Sequence, residues 1–378
     1  MKSILTHKLL IYVIPFFLGV FTSFSLPPYN FLIINFITFP FLLSFLIYNF
    51  KKSKWISFKI GWLFGFGYFI SNLYWITNSL TFEEIFKPLI PVTLIVIPLF
   101  LGLFYGFGIL FCSFFKLKKN FSTILIFATI FSLIEFVRGF ILGGFPWNII
   151  AYSWSDYLNS LQILSLIGTY SFNLLSITIF LLPFIIFFNK NLKSKLLSLF
   201  FLLIFLVLNH FYGGLLIREN KKVNNIDMDF TIKIISPKIG IKRFLNYEDP
   251  DKTIEELINL SNPNSSEKTI FVFPEGILTS INLEDLKNYK KIFSDNYSDN
   301  HIIILGMNSV KKVDGRSKIY NSLVVLDNNA NLLEKYDKNK LVPFGEFLPF
   351  ENFLSRFGFK KITHGYNSFS AGDVREII

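Results

Sequence analysis

The sequence predicts a polytopic α-helical membrane domain followed by a smaller α/β domain. Three observations predict it. Hydrophobic residues fill 52% of the 378 positions and charged residues only 17%, against about 25% charged in soluble domains. Seven apolar runs occupy residues 1–217, and a bilayer crossing needs about 20 such residues. From Arg218 onward, short β-branched runs separated by turn residues replace them.

The apolar runs lie near Leu9–Phe24, Phe31–Tyr48, Ile56–Ile76, Leu89–Phe115, Phe121–Leu142, Leu158–Phe188 and Leu196–Leu216. The first has the basic start of a signal peptide, but only Leu26-Pro27-Pro28-Tyr29 follows, with no small-residue cleavage site. Lysines then alternate between loops. Lys51, Lys52 and Lys54 follow the second run; Lys116, Lys118 and Lys119 follow the fourth; Lys190, Lys193 and Lys195 follow the sixth. The loops Ser25–Asn30, Thr77–Pro88 and Gly143–Tyr157 are poor in Lys and Arg. The positive-inside rule places the N-terminus and the basic loops in the cytoplasm. Seven crossings then deliver residues 218–378 to the opposite face. The same lysines account for much of the net charge of +11, so no nucleic-acid partner is expected.

In the second domain, Thr231–Ile235 reads as a strand broken by Ser236-Pro237. Asp249–Leu260 has helical spacing at Ile254, Leu257 and Ile258. Thr269–Phe273 reads as a buried strand, Leu283–Phe293 as a helix, and His301–Met307 as a strand. Tyr320–Leu326 leads into Asp327-Asn328-Asn329, a hairpin turn with Leu332–Lys335 as the returning strand.

Candidate chemistry begins at Glu275, which follows the run Ile270-Phe271-Val272-Phe273-Pro274. Functional groups collect outside the carboxyl ends of buried strands. Apolar neighbours there raise the pKa of a carboxyl and suit it to general-base work. On local pattern alone, a merely solvated strand-end Glu is the favoured reading. The second candidate segment is Tyr336–Pro349, too apolar for a simple loop and too rich in Pro and Gly for regular structure. A fixed ammonium such as Lys338 can stabilise a tetrahedral oxyanion, and Glu346 can hydrogen-bond that lysine. A packed connection with surface charges fits equally well.

In the membrane half, Glu135 and Arg138 stand three residues apart on one helical face. They are read as a structural ion pair that positions the Gly143–Trp147 loop. Trp147, Tyr152 and Trp154 are read as interfacial anchors, with a lipid-entrance lining as the alternative. Cys112 is the single cysteine and sits in an apolar run, and His7, His210, His301 and His364 lack ligand spacing. No metal site and no cofactor are expected.

Pro274-Glu275, followed by the segment Tyr336–Pro349, resembles the nitrilase superfamily and its Glu-Lys-Cys triad. Leu26–Tyr29, Gly61–Trp75, Leu103–Gly106 and Glu135–Trp147 narrow the resemblance to apolipoprotein N-acyltransferases. The resemblance runs from about Leu9 to the end of the sequence. It implies a nitrilase-like α/β domain of the αββα sandwich type, here without its last strands. It also implies acyl transfer from a phospholipid to the N-terminal amine of a diacylglyceryl-cysteine in lipoproteins, through a cysteine thioester. The implied setting is the bacterial inner membrane, with a periplasmic second domain and a monomeric protein. By motif, Glu275 is the general base, Lys338 stabilises the oxyanion and Glu346 is the supporting carboxylate. Candidate substrate contacts are Trp147, Phe244, Phe344 and Gly345.

The sequence departs from the family pattern in two places. The family's nucleophilic cysteine follows the segment equivalent to Tyr336–Pro349, and residues 350–378 hold none. A truncated chain, inactive in thioester chemistry, is therefore expected. Ser236-Pro237-Lys238 and Lys242-Arg243-Phe244 also differ from the family's usual residues at the acyl site. Two other functions compete. A membrane-tethered nitrilase-type amidase shares the site chemistry but requires no acyl groove. A non-enzymatic transporter requires charges meeting at the bilayer midplane, and the apolar runs hold few.

Overall fold

The structure, a computed structural model, describes residues 10–81, 84–222, 229–238, 249–313, 315–343, 345–354, 356 and 368–373. The chain divides into two compact units, Met1–Asn224 and Asn225–Ile378.

Each apolar run of the first unit carries a helix. These are α1 (Leu10–Ser23), α2 (Asn35–Asn49), α3 (Lys54–Asn72), α4 (Ile90–Cys112), α5 (Phe121–Phe140), α6 (Leu164–Phe188) and α7 (Leu192–Lys222). Among the described residues, five helical spans are long and apolar enough to cross a membrane, those containing α2, α4, α5, α6 and α7. α1 is apolar but only 14 residues long, and α3 carries Lys54 and Lys59 in its first two turns. Two starts are capped by side chains. Ser53 accepts from the Trp55 amide, and Asn120 accepts from the Thr123 amide, which satisfies donors left open at a first turn. The expected run Leu158–Phe188 is not one helix. A four-residue turn at Leu158–Leu161 precedes α6, and Gly168 breaks α6 with a φ of 72°.

Helix packing in a lipid solvent depends on close backbone approach. At the α1–α3 contact, a Cβ on Gly19 would lie 1.9 Å from the Phe64 carbonyl, and one on Gly67 would lie 2.1 Å from the Phe16 carbonyl. Phe39, Phe64, Tyr68, Tyr105 and Phe131 fill the space between α2, α3, α4 and α5, essentially without exposure. Trp154 joins this core, stacked on Phe180 at 5.8 Å. It is 2% exposed, which corrects its reading as an interfacial anchor. The loop before α6 folds back into the bundle and carries the indole inward.

The second unit is built on a six-stranded sheet. Its strands are β1 (Thr231–Ile234), β2 (Thr269–Val272), β3 (Leu278–Asn282), β4 (His301–Val313), β5 (Arg316–Leu326) and β6 (Leu332–Asp337). The order is β1-β2-β4-β5-β6, with β3 also paired to β4. β1, β2 and β4 run parallel, and β4, β5 and β6 form an antiparallel meander. β4 and β5 are longer than the apolar runs that predict them, because their outer halves pair Lys311 with Lys318 and Lys312 with Ser317. The expected helix Leu283–Phe293 is a 3₁₀ stretch, Leu283–Tyr289, followed by the short helix α9 at Lys290–Asn296.

Helix α8 (Pro250–Ser261) starts on an Asp249 cap with Pro250 in its first turn and ends on Asn262 in the left-handed region. Its Ile254, Leu257 and Ile258 pack with Phe271, Phe293, Tyr297, Ile303 and Leu305 on one face of the sheet. The opposite face carries Ile232, Ile302 and Leu323, which are 49%, 38% and 39% exposed.

Candidate active site

The site lies at the carboxyl ends of β2 and β6. Strand pairing continues one residue past β2, where the Phe273 amide donates to the Ile304 carbonyl at 2.8 Å. Pro274 has no amide to extend the ladder, so the chain turns there and presents Glu275. Gly276 follows with a φ of 60°. Beneath this turn passes β4 at Gly306. A Cβ on Gly306 would lie 2.5 Å from the Gly276 nitrogen and 2.7 Å from the Glu275 Cα. Only hydrogen at position 306 lets β4 support the turn at this height.

Lys338 follows β6 directly. Its amide donates to the Asn321 carbonyl on β5 at 2.8 Å, and its carbonyl accepts from the Gly372 amide at 3.0 Å. The preceding residue is fastened by a partly buried polar cluster. Ser322 donates to Asp337 at 2.6 Å, Ser309 lies 2.7 Å from Ser322, and Lys335 pairs with Asp337 at 2.9 Å. Glu346 is held in a turn closed twice. Its amide donates to the Val342 carbonyl at 2.8 Å, and its Oε2 accepts from the Val342 amide at 2.7 Å.

These three elements bring the charged groups together. Lys338 Nζ donates to Glu275 Oε1 at 2.8 Å and to Glu346 Oε1 at 3.0 Å. The side chains of Glu275, Lys338 and Glu346 are 63%, 28% and 14% exposed. Asn321, which sequence reasoning missed, reaches the same two oxygens. Its Nδ2 donates to Glu275 Oε1 at 2.6 Å and to Glu346 Oε1 at 2.9 Å. Among the described residues no donor reaches Glu275 Oε2.

The electrostatics correct one expectation. The hydrogen bond from Lys338 holds the Glu275 carboxyl below the usual carboxylate range, outweighing partial burial. A raised value had been expected from the apolar flanks, but the side chain swings off the strand end towards a cation and open solvent. For Lys338, partial burial works to lower the pKa. The hydrogen bonds and charges of Glu275 and Glu346 overcome it and leave the ammonium above its ordinary value.

Of the remaining candidates, Gly345 lies in the turn between Val342 and Glu346, where Pro343 and Phe347 form a bridge. Phe244 and Phe344 lie outside the described residues, as do Lys242 and Arg243. Cys112 is buried within the core of the first unit.

In that unit, Glu135 and Arg138 are fully buried and 3.6 Å apart. Tyr105 donates to Glu135 at 2.7 Å, and Asn173 donates to its other oxygen. Arg138 Nη1 donates to the carbonyls of Phe145 at 2.6 Å and Trp147 at 2.8 Å. Trp147 itself is half exposed and meets the Trp75 ring edge-to-face at 5.9 Å. Buried charges in membrane helices persist where they are paired and hydrogen-bonded, as here.

Comparison with known proteins bears on both units. A family model described as the apolipoprotein N-acyltransferase N-terminal domain matches residues 18–182. A Rickettsia prowazekii protein named apolipoprotein N-acyltransferase is 32% identical over 345 residues, covering 90% of this chain and 67% of the relative. Proteins of the same name from Brucella melitensis and Rhizobium leguminosarum bv. trifolii are 27% and 28% identical. They cover 96% and 95% of this chain and 70% of each relative.

Proposed function

Since the chain belongs to the apolipoprotein N-acyltransferase family, we propose that it serves transfer of a phospholipid acyl chain to the N-terminal amine of a diacylglyceryl-cysteine in lipoproteins. The observation that carries this reading is one ammonium, Lys338, held between Glu275 and Glu346, with no donor on Glu275 Oε2 among the described residues. The setting is a bacterial inner membrane crossed seven times by residues 1–217, with a cytoplasmic N-terminus and residues 218–378 in the periplasm. The protein acts as a monomer. Trp147, Phe244, Phe344 and Gly345 contact the lipid substrates.

The chemistry combines the three charged groups of the site with the cysteine that the family resemblance implies. A cysteine thiolate attacks the acyl ester carbonyl; a C–S bond forms, the C–O bond breaks, and the lysolipid hydroxyl leaves with a proton. The lipoprotein amine then attacks the thioester; a C–N bond forms and the C–S bond breaks. Splitting the transfer this way replaces one hard step by two easier ones. Glu275 Oε2 takes the thiol proton and later the amine proton, Lys338 faces the oxyanion, and Glu346 holds Lys338. An ordinary thiol titrates near 8.5 and an ordinary Glu near 4.3, a gap of about four pH units, and Lys338 widens it by holding Glu275 below the ordinary range. Glu275 is solvent-exposed in the free protein, and an acyl chain closing over it strips water from the carboxylate. That raises its basicity when substrate is bound. Cys112 is not that sulfur, since it is buried in the core of the first unit.

The test is complementation of a bacterium depleted of its own N-acyltransferase, with the third acyl chain of lipoproteins read by mass spectrometry. Residues 1–378 joined to the C-terminal remainder of a relative that carries the family's cysteine restore it, and Lys338→Met abolishes the rescue. Failure of the longer protein would overturn the functional reading. Rescue by residues 1–378 alone would overturn the sulfur requirement.

A further inference from the structure

We propose that Asn321 is a positioning residue whose side-chain amide spans the two carboxylates, holding both against one lysine so that a single oxygen, Glu275 Oε2, stays open to accept a proton. The proposal deepens the functional reading above and rests on it for the identity of the base.

The geometry is a closed ring of four polar atoms. Glu275 Oε1 and Glu346 Oε1 each accept from Lys338 Nζ, at 2.8 and 3.0 Å, and from Asn321 Nδ2, at 2.6 and 2.9 Å. One lysine neutralises one of the two negative charges. Like charges that share a site favour binding a proton between them. The amide supplies two further N–H donors without adding charge, and donors to the ionised form favour ionisation. Asn321 can do this because β5 and β6 place it opposite Lys338, whose amide donates to the Asn321 carbonyl at 2.8 Å. Main chain and side chain of one residue thus locate the lysine and both acids.

The ring also separates the two carboxylates by role. Glu346 Oε2 is occupied by the Val342 amide at 2.7 Å, so each Glu346 oxygen already has a donor. Glu275 shares its Oε1 with the ring and keeps Oε2 open. Without Asn321, Glu275 loses a donor to its ionised form and no longer enters the reaction as an ionised base with a fixed free lone pair. The other charged pair near this strand end, Lys335 with Asp337, is engaged with Ser309 and Ser322.

The experiment titrates individual carboxyls in the full chain, purified in detergent micelles. A diazo reagent esterifies a carboxyl only in its protonated form, and peptide mass spectrometry reads each site across a pH series. In Asn321→Ala, ester at Glu275, whose carboxyl is held low by Lys338 and also by Asn321, rises about three- to tenfold at a fixed mildly acidic pH, a shift of about half to one pH unit. In Asn321→Asp, which keeps the shape but replaces two donors with a third acid, the rise is larger. Asp327 is the internal fold control. Its carboxyl, despite the opposing effect of burial, is held below its usual value by Asn331 and the Asn329 amide. It lies outside the ring and keeps its wild-type profile. A Glu275 profile unchanged in both variants would overturn the proposal. So would an aspartate effect no larger than that of alanine, or a rise at Asp327 equal to the rise at the ring in both variants. None of these readings depends on acyl transfer, so inactivity of the chain would leave them intact.

Discussion

Glu346→Gln removes one of the two negative charges that hold the Lys338 ammonium and keeps the side chain's shape. Lys338 lies above its ordinary value because of its two carboxylate partners, so loss of one lowers its pKa. The magnitude follows from the geometry. The contact is 3.0 Å long, between side chains 28% and 14% exposed, and a hydrogen bond to a charged group is worth about 1.5–3 kcal/mol. One pKa unit is about 1.4 kcal/mol, and the retained amide oxygen still accepts from Lys338. A fall of about one unit is expected, or about tenfold more free amine at a pH below the midpoint. Glu275→Gln has a smaller effect, because Glu275 is 63% exposed and water screens its charge. The assay is competitive acetylation of the full chain in micelles across pH, with Lys338 read by mass spectrometry. Lys290, which donates to Asn331 at 2.6 Å away from the site, serves as the reference. An unchanged Lys338 titration in Glu346→Gln, or a larger fall in Glu275→Gln, would refute the reasoning.

Further outcomes follow from the same contacts. The stabilisation tied to Glu275, whose pKa is depressed on folding, is present above the ordinary carboxylate value and is lost as pH falls through the folded one. That tied to Lys338 is present below the ordinary lysine value and is lost as pH rises through its folded one. Thermal unfolding should thus show the cluster's contribution across the neutral range, with the acid-side loss weakened in Glu275→Gln. Gly306→Ala forces β4 away from the Glu275 turn, and acyl transfer by the longer protein should fall with Lys338 labelling shifted in the direction of Glu275→Gln. Arg138→Met leaves Glu135 buried without its cation, a change that costs about 3–5 kcal/mol and should lower the melting temperature of the chain in micelles. Arg138→Lys keeps charge but not the fork, so the melting temperature should recover further than the emission of a single-tryptophan Trp147 variant.

The membrane unit was legible because runs of Phe, Ile and Leu leave few alternatives to helix. What they conceal is direction. A helix that is apolar on every side carries no periodicity, and the loop between α5 and α6 carries none either, so nothing in the sequence marked Trp154 as inward and Trp147 as outward. Glu275 was legible from the strand and proline before it, and Lys338 and Glu346 from the unusual density of Pro and Gly around them. Asn321 was not. It sits inside a strand, between Tyr320 and Ser322, where a polar side chain reads as solvent-facing. A faint signal existed in the pairing, since the hairpin turn at Asp327–Asn329 sets Ser322 against Asp337 and hence Asn321 beside Lys338. The raised pKa assigned to Glu275 failed for a related reason. Neighbours in sequence gave an apolar setting, while the lysine 63 residues on decides the charge.

The Glu346 turn and the Lys338 strand end are tied by residues that come later in the chain. Phe369 donates to the Glu346 carbonyl, Ser370 to the Ile319 carbonyl and Gly372 to the Lys338 carbonyl, while Asn339 reaches back to the Gly372 carbonyl. During biosynthesis the ribosome must therefore deliver residue 372 before these ties can form. The helices of the first unit emerge more than a hundred residues earlier, so they meet the translocon while the acids and the lysine are still unassembled. The order of synthesis itself keeps the Glu275–Lys338–Glu346 cluster from forming ahead of the helical bundle.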